Sequence, residues 1–222
     1  MEQRHFDVEL LQLKDKLLLM AARTEALINQ AVEALVRKDA ARARDIFRLD
    51  KEIDAMEVEI EEQAIALIAL HQPAAGDLRF LIGAIKINND LERIGDHGVN
   101  IAESALRLAD QPDLKPLIDI PRMAALATGM LKDSLDGFVG GDADKARDVC
   151  TRDDQVDDLK DQVFRELLTY MMERPDSITR AMDLILVSRN LERIADLSTN
   201  IGEETIYIAE ARVIKHRCDQ QP

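Results

Sequence analysis

The second half of this sequence repeats the first. Slid against itself, the chain aligns Asp39-Ala-Ala-Arg-Ala-Arg-Asp45 with Asp142-Ala-Asp-Lys-Ala-Arg-Asp148 at an offset of 103. Asp50-Lys-Glu-Ile-Asp54 meets Asp153-Asp-Gln-Val-Asp157 at the same offset. Leu91-Glu-Arg-Ile-Gly-Asp96 then matches Leu191-Glu-Arg-Ile-Ala-Asp196 at an offset of 100, because the loop at 71–77 is three residues longer in the first copy. Eight of the sixteen positions from 88 to 103 are identical to their partners at 188 to 203, which two unrelated acidic helices rarely achieve by chance. A duplicated chain must fold as two like units packed on each other, and that restricts the architecture more than composition does.

Each unit reads as helical. The six prolines stand at 73, 112, 116, 121, 175 and 222, leaving long segments of Ala, Leu, Ile, Glu, Lys and Arg, which favour helix. From Phe6 the apolar stripe runs Phe6, Leu10, Leu13, Leu17, Ala21, Thr24, Ile28, Ala31 and Leu35, alternating steps of four and three as one buried helix face requires. No stretch alternates like a strand. The pattern predicts helices near 5–37, 40–71, 75–110, 121–139, 142–173 and 176–214, divided by turn signals such as Lys38-Asp39, Gly140-Gly141-Asp142 and Arg174-Pro175-Asp176. The expectation is an all-α protein of two pseudo-symmetric three-helix bundles, spanning 1–111 and 122–222 with a linker at 112–121.

Charge and composition exclude several functions. Lys and Arg number 29 against 43 Asp and Glu, a formal net charge of −14, so nucleic acid and anionic bilayers are poor ligands. Hydrophobic residues make up 46% while Trp is absent, which requires an aliphatic core. The longest apolar run, Ala64 to Leu70, is far short of the ~20 residues that cross a bilayer, and the start carries no apolar leader. Cys150 and Cys218 read as ordinary thiols in a reducing compartment. The expectation is a cytoplasmic protein without membrane insertion.

The residues that carry chemistry are carboxylates in register. Glu92, Asp96, Asn100 and Glu103 fall on one face of a helix, in line with apolar Leu81, Ile85 and Leu106, so the stripe points toward the core or its rim. Glu192, Asp196, Asn200 and Glu203 repeat it. The preceding helix of each copy adds an i,i+4 pair, Asp50 with Asp54 and Asp153 with Asp157. Like charges at that spacing destabilise a helix, more so when desolvated, and something must offset them. Two facing helices that each offer carboxylates one turn apart form an all-oxygen cage suited to a divalent cation, with Mg, Ca or Mn favoured and Fe or Zn tolerated. Ion pairing with Arg93 and Arg193 is the alternative. His97 points about 100° from Asp96 and reads as a satisfied histidine; His5, His71 and His216 stand isolated. No Glu-x-x-His occurs, no nucleophile and base share a recognisable spacing, and Gly95 and Gly98 lie inside a helix, where they signal close packing. No catalytic role is expected.

In its duplication, the Asp50 to Asp54 segment, the His71-Gln-Pro-Ala-Ala-Gly-Asp-Leu-Arg79 turn and both Glu-Arg-Ile helices, the chain resembles the PhoU family, the accessory proteins of phosphate-specific transport, over nearly its whole length. That resemblance implies two metal clusters held by paired acidic motifs. The first uses Asp50, Asp54, Glu92 and Asp96, the second Asp153, Asp157, Glu192 and Asp196, with Asn100 and Asn200 as additional ligands. The ions implied are divalent or trivalent, with Fe, Zn, Mn and Mg the candidates. It also implies a non-catalytic negative regulator of the phosphate-starvation response, a homodimer that links the ATPase subunit of a phosphate ABC transporter to a phosphate-sensing histidine kinase. One departure stands out: Glu57 and Glu61, on the Asp50 face, correspond to Lys160 and Phe164, and the expectation is a second site that is weaker, holds fewer ions or is emptied by the lysine. A second reading, from a different class, is a di-metal carboxylate protein for metal storage or hydrolysis. Direct phosphate binding has little support, since acidic stripes repel an anion unless a metal intervenes.

Overall fold

In the computed structural model, which describes residues 2–210 with side chains from residue 5 onward, six long helices account for nearly all of the backbone. Helices α1 (Glu2–Arg37), α2 (Ala40–His71) and α3 (Ala75–Leu108) pack mutually as one bundle, and α4 (Asp119–Gly140), α5 (Ala143–Glu173) and α6 (Ile178–Glu210) as a second. Among the described residues there is no strand. Several helix ends differ from the sequence reading by one to three residues, and two of the shifts have a local cause. Helix α4 begins two residues before Pro121, which sits in the first turn, where a missing N–H removes no intrahelical bond. Pro175–Ser177 forms a short 3₁₀ turn ahead of α6.

The duplication extends to atomic detail. Asp39 caps α2 by accepting from the backbone N–H groups of Ala41 and Arg42 at 3.1 and 3.0 Å. Its twin Asp142 caps α5 through Asp144 and Lys145 at the same two distances. Each such cap contributes about 1 kcal/mol. The residue before each cap is left-handed, Gly141 at φ 66° and Lys38 at φ 55°. For lysine that conformation costs about 1–2 kcal/mol. Lys38 offsets it by donating to the Gln111 carbonyl at 2.6 Å and pairing with Asp113, which fastens the linker to α1.

The α1 stripe is buried as expected, Leu13, Leu17, Ile28 and Ala31 completely, and Thr24 satisfies its hydroxyl on the Met20 carbonyl at 3.0 Å. Small residues bring helices together: a Cβ on Gly98 would lie 2.2 Å from Cδ2 of Leu27 on α1, and one on Gly202 only 3.1 Å from the Ala146 carbonyl on α5. The two bundles meet through α3 on α6 and α1 on α4, so one aliphatic core runs through both. Three polar contacts mark the antiparallel α3–α6 seam: Lys86 with Glu204 at 2.9 Å, His97 Nδ1 with Asn190 Oδ1 at 2.9 Å, and Arg107 with Asp183 at 2.7 Å. His97 is thus the satisfied histidine that its position suggested.

Among the described residues no helix is long and apolar enough to cross a membrane. Cys218 and His216 lie outside the described residues.

Candidate metal centre

The outer face of the α2–α3 pair carries the first acidic cluster. Asp50, Asp54, Glu57 and Glu61 recur at steps of four, three and four along α2, which keeps them on one side of the helix. Glu92 and Asp96 stand one turn apart on α3, and between them Gly95 brings its backbone so near α2 that an added Cβ would lie 3.5 Å from Asp50 Oδ1. Buried Ile46, Ile53, Ile60, Leu91 and Ile94 lie beneath. Asp50, Glu57 and Glu92 are half-buried while Asp54, Glu61 and Asp96 are exposed, so the stripe lies on the rim of the core rather than in it.

This cluster has no internal counter-charge. None of its six carboxylates forms an ion pair with a described residue. The nearby cations are turned elsewhere: Arg23 and Arg48 to Glu52, and Arg93 to Asp90 at 3.2 Å. The consequence is electrostatic strain. Burial, then Asp54 and Asp96, push the Asp50 carboxyl up to about 6. Burial also raises Glu92, with Asp96, Glu57, Asp54 and Asp50 adding to it, and raises Glu57, with Glu61 and Asp54 adding. Asn88, one turn before Glu92 and buried, donates its amide to the Glu57 carbonyl at 2.8 Å and leaves its own Oδ1 without a partner.

The second cluster, on α5 and α6, keeps four of the six carboxylates, Asp153, Asp157, Glu192 and Asp196, and has a different electrostatic state. Lys160, in the place of Glu57, puts its ammonium 2.8 Å from Asp157 and 3.4 Å from Glu192, bridging the two helices. Arg193 pairs with Asp196 at 2.8 Å and reaches Glu192 at 3.6 Å. The ion-pair alternative therefore describes Arg193 and not Arg93. Asp153 receives neither cation, and burial followed by Asp196, Asp157, Asp154 and Glu192 raises it to about 6. Asp196 is raised by burial and Glu192, against the opposing pull of Arg193.

Asn100 and Asn200 lie one turn beyond Asp96 and Asp196, exposed, and their side chains make no hydrogen bond with the carboxylates. Glu103 is exposed and pairs with Arg107 at 3.8 Å. Among the described residues no three His, Cys, Asp or Glu side chains stand close enough to enclose a metal ion. The acids share a face and a field, and an ion would have to draw them inward. The first cluster fits a hard cation by its donor chemistry: oxygen only, half-desolvated and uncompensated. Two histidines read as isolated are not. His71 Nε2 lies 2.9 Å and His5 Nε2 3.4 Å from the two oxygens of Glu9.

The raised carboxyls set a pH dependence. Asp50 and Asp153 are held up to about 6 from an ordinary 3.8, so between these values the folded chain holds protons that the unfolded chain has released. Stability from these groups is greatest below the lower value and is lost as pH rises through the upper one. Metal-stripped protein is expected to melt several degrees higher at pH 5.5 than at pH 7.5. A melting temperature that stays flat or rises from pH 5.5 to pH 7.5 would contradict the strain described here.

Comparison with known proteins completes the picture. A family model described as the PhoU domain matches the chain twice, at residues 17–105 and 120–205, once over each bundle. The chain belongs to the PhoU family. It is 43% identical over 209 residues to a phosphate-specific transport system accessory protein PhoU homolog of Aquifex aeolicus, covering 94% of this chain and 95% of that one. The corresponding homolog of Clostridium acetobutylicum is 39% identical over 215 residues, 96% of this chain and 98% of the other. Among solved structures, PhoU from Pseudomonas aeruginosa superposes with a TM-score of 0.89 at 36% identity, covering 93% of this chain and all of that one. The phosphate transport system regulatory protein PhoU of Streptococcus pneumoniae gives 0.88 at 30% identity, with 95% and 99% covered. The paired three-helix arrangement of this chain is thus the PhoU fold.

Proposed function

We propose that this chain is a cytoplasmic negative regulator of the phosphate-starvation response and a modulator of phosphate uptake, an adapter between the ATPase subunit of a phosphate ABC transporter and the sensor histidine kinase. The observation that carries the reading is likeness over almost the full length to proteins named for an accessory or regulatory part in phosphate transport. The molecule suits that work. One core through both bundles makes a rigid body, and long acidic helix faces offer extended docking area.

The same proposal gives the first acidic cluster a cation. Asp50, Asp54, Glu92 and Asp96, with Glu57 and Glu61 alongside, would hold a divalent or trivalent ion of the Mg, Mn, Fe or Zn class. Bound there, it supplies positive charge that relieves the repulsion between α2 and α3. The role is structural or regulatory, and no step of chemistry is assigned to it.

Co-purification tests the adapter reading. Affinity-tagged chain expressed at native level in its own cells is expected to retain the transporter ATPase subunit or the histidine kinase. Retention of neither, with the tagged chain folded and abundant, would count against it.

A further inference from the structure

The two acidic clusters descend from one duplicated segment, yet two substitutions have set them on different electrostatic courses. The first is Glu57 against Lys160. Lys160 stands three residues beyond Asp157 and seven beyond Asp153, on the same side of α5, and its four-carbon stem carries the ammonium across to Glu192 on α6. Its Nζ lies within 4 Å of three carboxylates, those of Asp157, Glu192 and Asp161. The second is Asp90 against Asn190. In the first bundle Arg93 turns back one turn to Asp90 and leaves the cluster. In the second bundle the equivalent position is neutral and Asn190 is engaged with His97, so Arg193 turns forward to Asp196. Two cationic side chains thus lie among the carboxylates of the second cluster and none among those of the first.

We infer that Lys160 is a tethered counter-ion standing where the first bundle takes a metal, so that this chain loads cations asymmetrically, in the first bundle and not in the second. The inference rests on the metal reading above and departs from two equivalent clusters. A covalently attached ammonium stays at the cluster whatever the supply of free cation, and a metal entering the second cluster must displace it and accept repulsion from Arg193. The second α-helical pair is held closed whatever the metal supply, and only the first responds to it. Phe164 in place of Glu61 removes one further oxygen from the second face.

The test uses the full chain, stripped with chelator, equilibrated with Mn²⁺ and measured for bound manganese by elemental analysis and native mass spectrometry. Wild-type protein is expected to lose its manganese in the Glu92→Gln/Asp96→Asn variant and to keep it in Glu192→Gln/Asp196→Asn. Lys160→Glu, which restores the first-bundle residue, is expected to bind at least one more ion per chain, tightening the second cluster by on the order of tenfold or more. Lys160→Met, which removes the charge without adding a ligand, serves as the second variant should the glutamate disturb folding, and is expected to gain manganese more weakly. Equal loss from the two double variants, or no gain in either Lys160 variant with helicity intact, overturns the asymmetry and leaves the metal reading standing. No manganese bound by wild type at saturating concentration overturns both.

Discussion

Truncating Ile94 to alanine is expected to destabilise the whole molecule by about 2–5 kcal/mol, the range for a fully buried aliphatic side chain that leaves a cavity. Ile94 and its twin Ile194 are both completely buried, each inside a Leu-Glu-Arg-Ile segment, one on each side of the α3–α6 seam. Because the aliphatic core is continuous from one bundle to the other, neither bundle should unfold alone. Ile94→Ala and Ile194→Ala should therefore lower one shared calorimetric transition, by several degrees each. Two resolved transitions, with only the mutated bundle's moved, would show that the bundles are thermodynamically separate.

The second large effect concerns the cation. Chelator-stripped protein at pH 7.5 carries six uncompensated carboxylates on α2 and α3, and a ligand that binds only the folded state stabilises it by mass action. At about a hundredfold excess over the dissociation constant this amounts to about 2.7 kcal/mol. For a chain of this length that corresponds to a rise in melting temperature of about 5–10 °C. Saturating Mn²⁺ should produce it in wild type and not in Glu92→Gln/Asp96→Asn. The double variant without metal should itself melt above metal-free wild type, since it removes the repulsion of Asp96 on Asp50 and the half-buried, repelled carboxylate of Glu92. A metal response that survives the double substitution would place the ion elsewhere.

Much of this architecture is legible in the residues because it rests on local, periodic signals. The spacing of four and three from Phe6 to Leu35 defines a buried stripe without help from the rest of the chain. Asp39 and Asp142 announce helix starts by their own chemistry, and the duplication supplies each signal twice. The acidic faces are legible for the same reason: Asp50, Asp54, Glu92 and Asp96 are set in register by helix geometry alone.

What the sequence withheld lies between elements. Arg93 and Arg193 occupy identical motifs and point opposite ways, and the deciding residues, Asp90 and Asn190, look innocuous in one dimension. The contacts of Lys86 with Glu204 and Arg107 with Asp183 join residues 118 and 76 positions apart, and no local pattern encodes them. His71 reads as isolated because it meets Glu9 only when α2 folds back on α1, whereas His5 and Glu9 are an i,i+4 pair within α1. Asn100 and Asn200 share the helical phase of the acids and lie exposed one turn further along.

Regulation of the phosphate-starvation response is measured in the cell. A strain lacking this gene, grown in abundant phosphate, is assayed for a phosphate-starvation output such as secreted phosphatase activity, alongside the same strain carrying the gene on a plasmid. High output is expected in the deletion strain, with return to the repressed level on complementation. Output that stays fully off without the gene would contradict it.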